Sequence, residues 1–267
     1  MLKDITLGQF FPGDTVVHRL DPRTKILSVI FYVAALFTAE RYVSYAVMGA
    51  VLILCVGLSR IRPRILLRGL RPLVFILLLT AILNMFYTGG HVLFEFWIFR
   101  ITREGLITAG LMMLRIMMLV CGTLLLTYTT SPLALTDGME RLLSPLKKLR
   151  VPVHDLAMIM SIALRFIPIL IEETDRIMSA QRARGADFDT GSILRRAKAL
   201  MPILIPLFVG AFRRADELAV AMECRCYQGG EGRTRMKVLQ MHRRDWLTLL
   251  FWCAVTAGVV CLVVNGL

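Results

Sequence analysis

The chain has 267 residues, 57% of them hydrophobic and only 19% charged, with a mean hydropathy of +0.66. A soluble domain rarely exceeds about half apolar residues, so composition alone points to a membrane protein. The 32 Lys and Arg against 19 Asp and Glu leave a net charge of +13. With so many apolar runs, that excess is assigned to a membrane-facing basic surface, and nucleic-acid binding is set aside.

The opening MLKDITLGQF lacks the layout of a cleaved signal, so the first apolar run is expected to stay in the mature protein. Asp21 and Pro22 read as the N-cap and first turn of the first span. Runs at residues 26–38, 42–58, 72–87, 105–128 and 246–264 could cross a bilayer. A crossing needs about 20 residues, so the first three must borrow from their flanks. Between the second and third lies RIRPRILLRGLR, residues 60–71, with five arginines and no acid, which predicts a cytoplasmic face. Lys3, Arg19, Arg23 and Lys25 then lie inside as well, and Glu40 and Arg41 outside. The segment 89–104, with Trp97 and several Phe, reads as an aromatic belt at the outer interface. Arg115 sits mid-span in LMMLRIMML and is expected to pair with a carboxylate or carbonyls of a neighbouring helix rather than line an ion path. Arg165, nearer the interface, can snorkel.

Residues 129–245 carry nineteen basic and thirteen acidic side chains, too many for bilayer-spanning helices. Three helices are predicted there. The first covers 131–149, with Ser131 as N-cap and Pro132 at its first position. The second, 154–184, is ended by Gly185. The third, 192–227, stops before Gly229 and Gly230. The last two begin apolar, contain Pro168, Pro202 and Pro206 as bends, and finish polar. They are expected at or below the inner membrane face with their C-terminal tips toward the cytoplasm. The fold class is therefore all-α: a polytopic membrane protein with about five transmembrane helices and a cytoplasmic coupling domain of about three. The expected domains are 1–128 (four spans), 129–245 (coupling helices) and 246–267 (last span).

The two tips read QRARGAD at 181–187 and AMECRCYQGG at 221–230. An arginine near a helix C-terminus can simply cap exposed carbonyls. Two such tips on consecutive helices suggest a docking knob, since small neighbours admit the helix end to a groove and a guanidinium grips carboxylates or carbonyls bidentately. Cys224 and Cys226 lack the second Cys pair or His cluster of a metal site. Cys55, Cys121, Cys253 and Cys261 lie in apolar runs and act as small hydrophobes. His18, His91, His154 and His242 are scattered, and GGEGRT at 229–234 lacks the Lys-Ser/Thr of a phosphate loop. No metal, cofactor or ATP is therefore expected on this chain. Met112, Met113, Met117, Met118, Met158 and Met160 are either lipid-facing filler or an adaptable surface for partners.

Ala183-Arg184-Gly185, Cys224-Arg225-Cys226, the opening GQFFPGD (8–14) and HRLDPRTK (18–25) share one resemblance. With them the chain resembles the transmembrane T component of energy-coupling factor transporters, a branch of the ABC transporters. The resemblance covers essentially the whole chain. It implies a non-enzymatic coupling subunit in a prokaryotic plasma membrane, multi-pass, with a cytoplasmic N-terminus. Each signature arginine would enter a groove of one of two ABC ATPase subunits, which hold the ATP and magnesium. A substrate-binding membrane S component, interchangeable in some systems, would take up vitamins or metals. Ala183-Arg184-Gly185 matches the family signature in full, whereas at the second tip only Arg225 of the signature remains. Two rivals differ in class. A conventional substrate-translocating ABC permease would place polar residues along the spans, which offer little beyond Arg115 and Asn84. A lipid phosphotransferase would need clustered acids, for which Glu172, Glu173 and Asp137 are poor substitutes.

Overall fold

A computed structural model of the chain describes residues 10–39, 41–87, 89, 91–96, 99–186, 188, 192–229 and 238–265. The helices are α1 (Pro22–Thr38), α2 (Tyr42–Ser59), α3 (Pro63–Leu70), α4 (Val74–Tyr87), α5 (Arg103–Thr129), α6 (Pro132–Leu143), α7 (Val153–Ala183), α8 (Ile193–Glu223) and α9 (Arg243–Val264). Short 3-10 turns occupy Arg71–Leu73 and Ser144–Leu149. An antiparallel hairpin, β1 (Val92–Phe96) with β2 (Phe99–Thr102), precedes α5. This hairpin falls where sequence suggested an aromatic belt; Trp97 lies outside the described residues, as does Glu40. The chain forms two compact units, Gly8–Met139 with Leu239–Leu267, and Glu140–Val238, the division falling inside α6.

In the first unit, α1 starts as its sequence predicts: the Asp21 carboxylate accepts the Arg23 N–H at 2.9 Å and Pro22 opens the helix. Tyr32, Ala35 and Leu36 of α1 pack with Tyr45 and Met48 of α2, Met118 of α5, and Trp252 and Val259 of α9. Small residues allow the close approaches. A Cβ on Gly122 would lie 2.4 Å from the Tyr32 ring, and one on Gly69 would lie 2.6 Å from Leu124.

The outer faces are the reverse of a soluble protein's. Ile53 is 74% exposed, Phe75 75% and Leu250 68%, an apolar surface that only lipid or another apolar partner can cover. Among the described residues, five stretches are long and apolar enough to cross a membrane: Tyr42–Ser59, Pro63–Met85, Arg103–Thr129, Val153–Ala183 and Arg243–Val264. The set differs from the sequence reading. At 17 residues α1 is shorter than these, while α7 meets the criterion by length and composition alone, through its apolar first half. The charges of the 129–245 segment are unevenly spread, and before Glu172 only Asp155 and Arg165 of α7 are formally charged. Averaging over the whole segment hid an apolar first half.

The run at 60–71 is also more ordered than a loop. Pro63 opens α3, Leu66 and Leu70 are buried, and Arg60, Arg62, Arg64, Arg68 and Arg71 are all exposed. It is a short amphipathic helix, with Leu66 and Leu70 inside and its arginines out.

Arg115 is paired with a carbonyl, as expected, and also with a hydroxyl. Its Nε donates to the Tyr45 hydroxyl at 2.7 Å, a terminal nitrogen donates to the Ala39 carbonyl, and the guanidinium lies 5.5 Å from the Tyr45 ring centre. Sequence gave no hint of a second polar knot. The Asp245 carboxylate accepts the N–H of Asp21 and that of His242, each at 2.8 Å, while Arg23 donates to the Leu239 carbonyl at 2.8 Å. This ties the start of α1 to the start of α9 across 224 residues of sequence.

Candidate functional site

Both candidate tips belong to the unit Glu140–Val238. The residues named from sequence at the first are Ala183, Arg184 and Gly185, and at the second Cys224, Arg225 and Cys226; all six are exposed.

At the first tip α7 ends at Ala183. The Ala186 N–H returns to the Gln181 carbonyl at 3.0 Å, the Gly185 N–H to Arg182 at 3.0 Å and the Arg184 N–H to Gln181 at 3.1 Å. Gly185 has φ +85°. This is the Schellman arrangement, in which a left-handed residue folds the chain back over the last carbonyls.

The second tip repeats it bond for bond. The Tyr227 N–H returns to the Met222 carbonyl at 3.0 Å, the Cys226 N–H to Glu223 at 2.8 Å and the Arg225 N–H to Met222 at 3.1 Å. Cys226 holds the left-handed position with φ +55°. The correspondence is therefore Arg184 with Arg225 and Gly185 with Cys226, one arginine directly before each reversal. Glycine takes that backbone freely, whereas a cysteine there carries strain of about 1 kcal/mol or more. Helical termination at 183 and 223 also puts both arginines in the capping turns, so 192–227 overstated the third helix. Asp187 lies outside the described residues, as do residues 1–9 and 230–237, which carry parts of the opening and Gly-rich motifs.

Among the described residues, no side-chain hydrogen bond or ion pair engages Arg184 or Arg225. The capping that a lone arginine could supply is done by backbone N–H groups instead, which leaves each guanidinium free for another molecule.

The pairing of α7 with α8 sets the separation of the tips. The Tyr227 hydroxyl meets Met158 sulfur at 3.1 Å, Arg214 pairs with Glu173 at 2.5 Å, and Gln181 reaches the Pro202 carbonyl at 3.5 Å. Rising numbers on α7 meet falling numbers on α8, so the helices are antiparallel and the tips lie at opposite ends of the pair. The 26 residues from Met158 to Arg184, at 1.5 Å rise, separate them by roughly 40 Å. The pair forms a bar with one arginine at each end. The ridge between them is close-packed: a Cβ on Gly210 would lie 3.1 Å from the Glu173 carboxylate.

Among the described residues, no group of three or more His, Cys, Asp or Glu could hold a metal ion, and the six cysteines are free. Glu172, Glu173 and Asp137 form no such group.

The cobalt transport protein family model CbiQ matches residues 13–236, a span that includes both tips. Proteins named energy-coupling factor transporter transmembrane protein EcfT align over nearly their full length. The one from Acidaminococcus fermentans is 52% identical over 96% of this chain and 95% of its own. That from Thermosediminibacter oceani is 54% identical over 91% and 92%, and that from Bacillus subtilis 48% identical over 92% and 93%. The chain belongs to this family. It is a multi-pass membrane transport protein, the transmembrane component of an energy-coupling factor transporter. Long apolar helices with outward-facing side chains are what that role requires. The left-handed Cys226 was not visible in the sequence reading. Its one signal was the spacing of Arg225 from the helix end, which matches that of Arg184.

Proposed function

We propose that the chain couples two ABC ATPase subunits to a substrate-binding membrane subunit, with Arg184 seated in one ATPase and Arg225 in the other. The observation that carries this reading is the pair of matching capped tips, each presenting an exposed, unengaged arginine, at opposite ends of one antiparallel helix bar. A separation of roughly 40 Å suits two neighbouring subunits better than one groove.

The chain contributes no catalytic group. ATP and magnesium belong to the ATPases, and this subunit converts their closure into movement of the bar. Such coupling needs contacts that differ between two states, and a bar held at both ends moves whenever its two holders do. The exposed, acid-free run of arginines at 60–71 argues for a cytoplasmic inner loop and a cytoplasmic N-terminus, in the plasma membrane of a prokaryotic cell. The substrate-binding partner would be a small membrane S component for a vitamin or another micronutrient. The exposed Met160 at the α7 surface and the outward apolar faces of α2 and α4 offer it an adaptable contact.

Purification from mild detergent tests the docking. The wild-type chain should bring down two ATPase subunits and a small membrane protein. Arg184→Glu and Arg225→Glu should each lose ATPase, because charge reversal sets a carboxylate against the carboxylates and carbonyls that held the guanidinium. Full retention by both variants would refute the proposal.

A further inference from the structure

Two cavities in the membrane unit meet beside the end of α2. The first is a slot of about 350 Å³ between α1, α2, α5 and α9, walled by residues such as Val29, Leu54, Leu126 and Phe251. Five of its polar lining groups are engaged within the protein. Lys25 Nζ donates to the carbonyls of His18 and Thr129, and the Tyr32 hydroxyl to that of Met118. Ser28, Thr129 and Thr248 each donate to a carbonyl one turn back on their own helices. Beyond the Trp252 indole N–H and the Cys55 thiol, an occupant meets groups already bonded, so the portion held in the slot is apolar.

The second cavity, about 820 Å³, shares the walls Val16 and Leu58 with the slot and is lined by Arg60 and Arg62. His18 and Asp14 line it too, Asp14 lying 3.8 Å from Arg19. Among the described residues, no side-chain hydrogen bond or ion pair engages Arg60 or Arg62. Arg60 is held in place by its backbone, as the left-handed C-cap of α2 with φ +54°. An apolar slot joined to a cationic cavity matches a molecule with an apolar chain attached to an anion.

We propose that this composite site binds one anionic phospholipid, an acyl chain in the slot and the headgroup phosphate at Arg60 and Arg62. The charge fits, because two guanidiniums can each make paired hydrogen bonds to phosphate oxygens. The side of the membrane fits as well, since the arginine-rich run at 60–71 belongs to the cytoplasmic leaflet, where anionic lipid attracts basic segments. A bound chain would fill the gap between α1 and α9 beside the Asp21–Asp245 knot.

Trp252 lines the slot and reports on its contents. The full-length chain with Trp97→Phe and Trp246→Phe is placed in phosphatidylcholine vesicles carrying a minor fraction of brominated lipid, a contact-range quencher. Brominated phosphatidylglycerol should quench Trp252 well beyond an equal fraction of brominated phosphatidylcholine. Removing each arginine should cut that preference about fivefold, so Arg60→Gln with Arg62→Gln should cut it about 25-fold. Val29→Phe, which fills the slot, should lower quenching by both, with helicity and ATPase retention checking that it folds. Equal quenching in the parent chain overturns the site. A preference undiminished by loss of both arginines, or quenching unmoved by Val29→Phe in a folded chain, overturns it too. If Val29→Phe instead releases a co-purifying membrane subunit and leaves the lipid preference intact, the slot seats a helix and the lipid proposal is wrong.

Discussion

Asp245→Ala removes the knot that holds the first and last helices of the membrane unit together. Asp245 is 3% exposed and accepts two backbone N–H groups at 2.8 Å, one from Asp21 and one from His242. Alanine strands both donors. The buried Asp21 donor costs about 1–3 kcal/mol unpaired and the partly exposed His242 donor less, so the pair should cost about 2–4 kcal/mol. Asn keeps one accepting oxygen but turns an NH₂ toward the other donor, so Asp245→Asn should cost about half as much. The assay is thermal unfolding in detergent followed by tryptophan fluorescence, with the exposed Asp216→Ala as control. At about 2–4 °C per kcal/mol for a chain of this size, the alanine variant should unfold about 10 °C early. The reasoning fails if Asp245→Ala unfolds within about 2 °C of the Asp216→Ala control, because a buried acceptor of two N–H groups cannot be that dispensable.

The Arg115–Tyr45 contact should show as coupling. In a double-mutant cycle, Arg115→Leu and Tyr45→Phe should interact by about 1–2 kcal/mol, and additivity would mean the mid-span arginine is held by something else. Cys226→Gly should relieve the left-handed strain and stabilise the second tip by about 1 kcal/mol, whereas Gly185→Ala should destabilise the first by a similar amount. Hydrogen exchange at the amides of Ala186 and Tyr227 reads both effects, and changes of the same sign at the two tips would contradict the shared geometry.

How much of this was legible follows from the range of each interaction. Asp21 with Pro22, and Gly185 after a long helix, are local signals, and each produced the cap that its neighbours dictate. The apolar runs and the arginine-rich 60–71 segment were readable because bilayer crossing is set by composition over about 20 residues. What escaped was long-range or averaged. The Asp245–Asp21 bond joins residues with no pattern in common, and the antiparallel run of α7 and α8 depends on pairs such as Glu173 with Arg214. The apolar half of α7 disappeared when its charges were counted with those of its neighbours. Cys226 hid for another reason: sequence lore assigns the left-handed position to glycine, and here the backbone adopts it without one.

The most direct measurement of the central claim uses Cys226, which is exposed and directly follows Arg225. In a chain keeping only that thiol, a membrane-impermeant maleimide should leave intact cells unlabelled and react in inside-out vesicles stripped of ATPase. Adding the ATPase subunits back should slow the reaction. Labelling in intact cells, or an unchanged rate on reassembly, would contradict a cytoplasmic tip held by an ATPase.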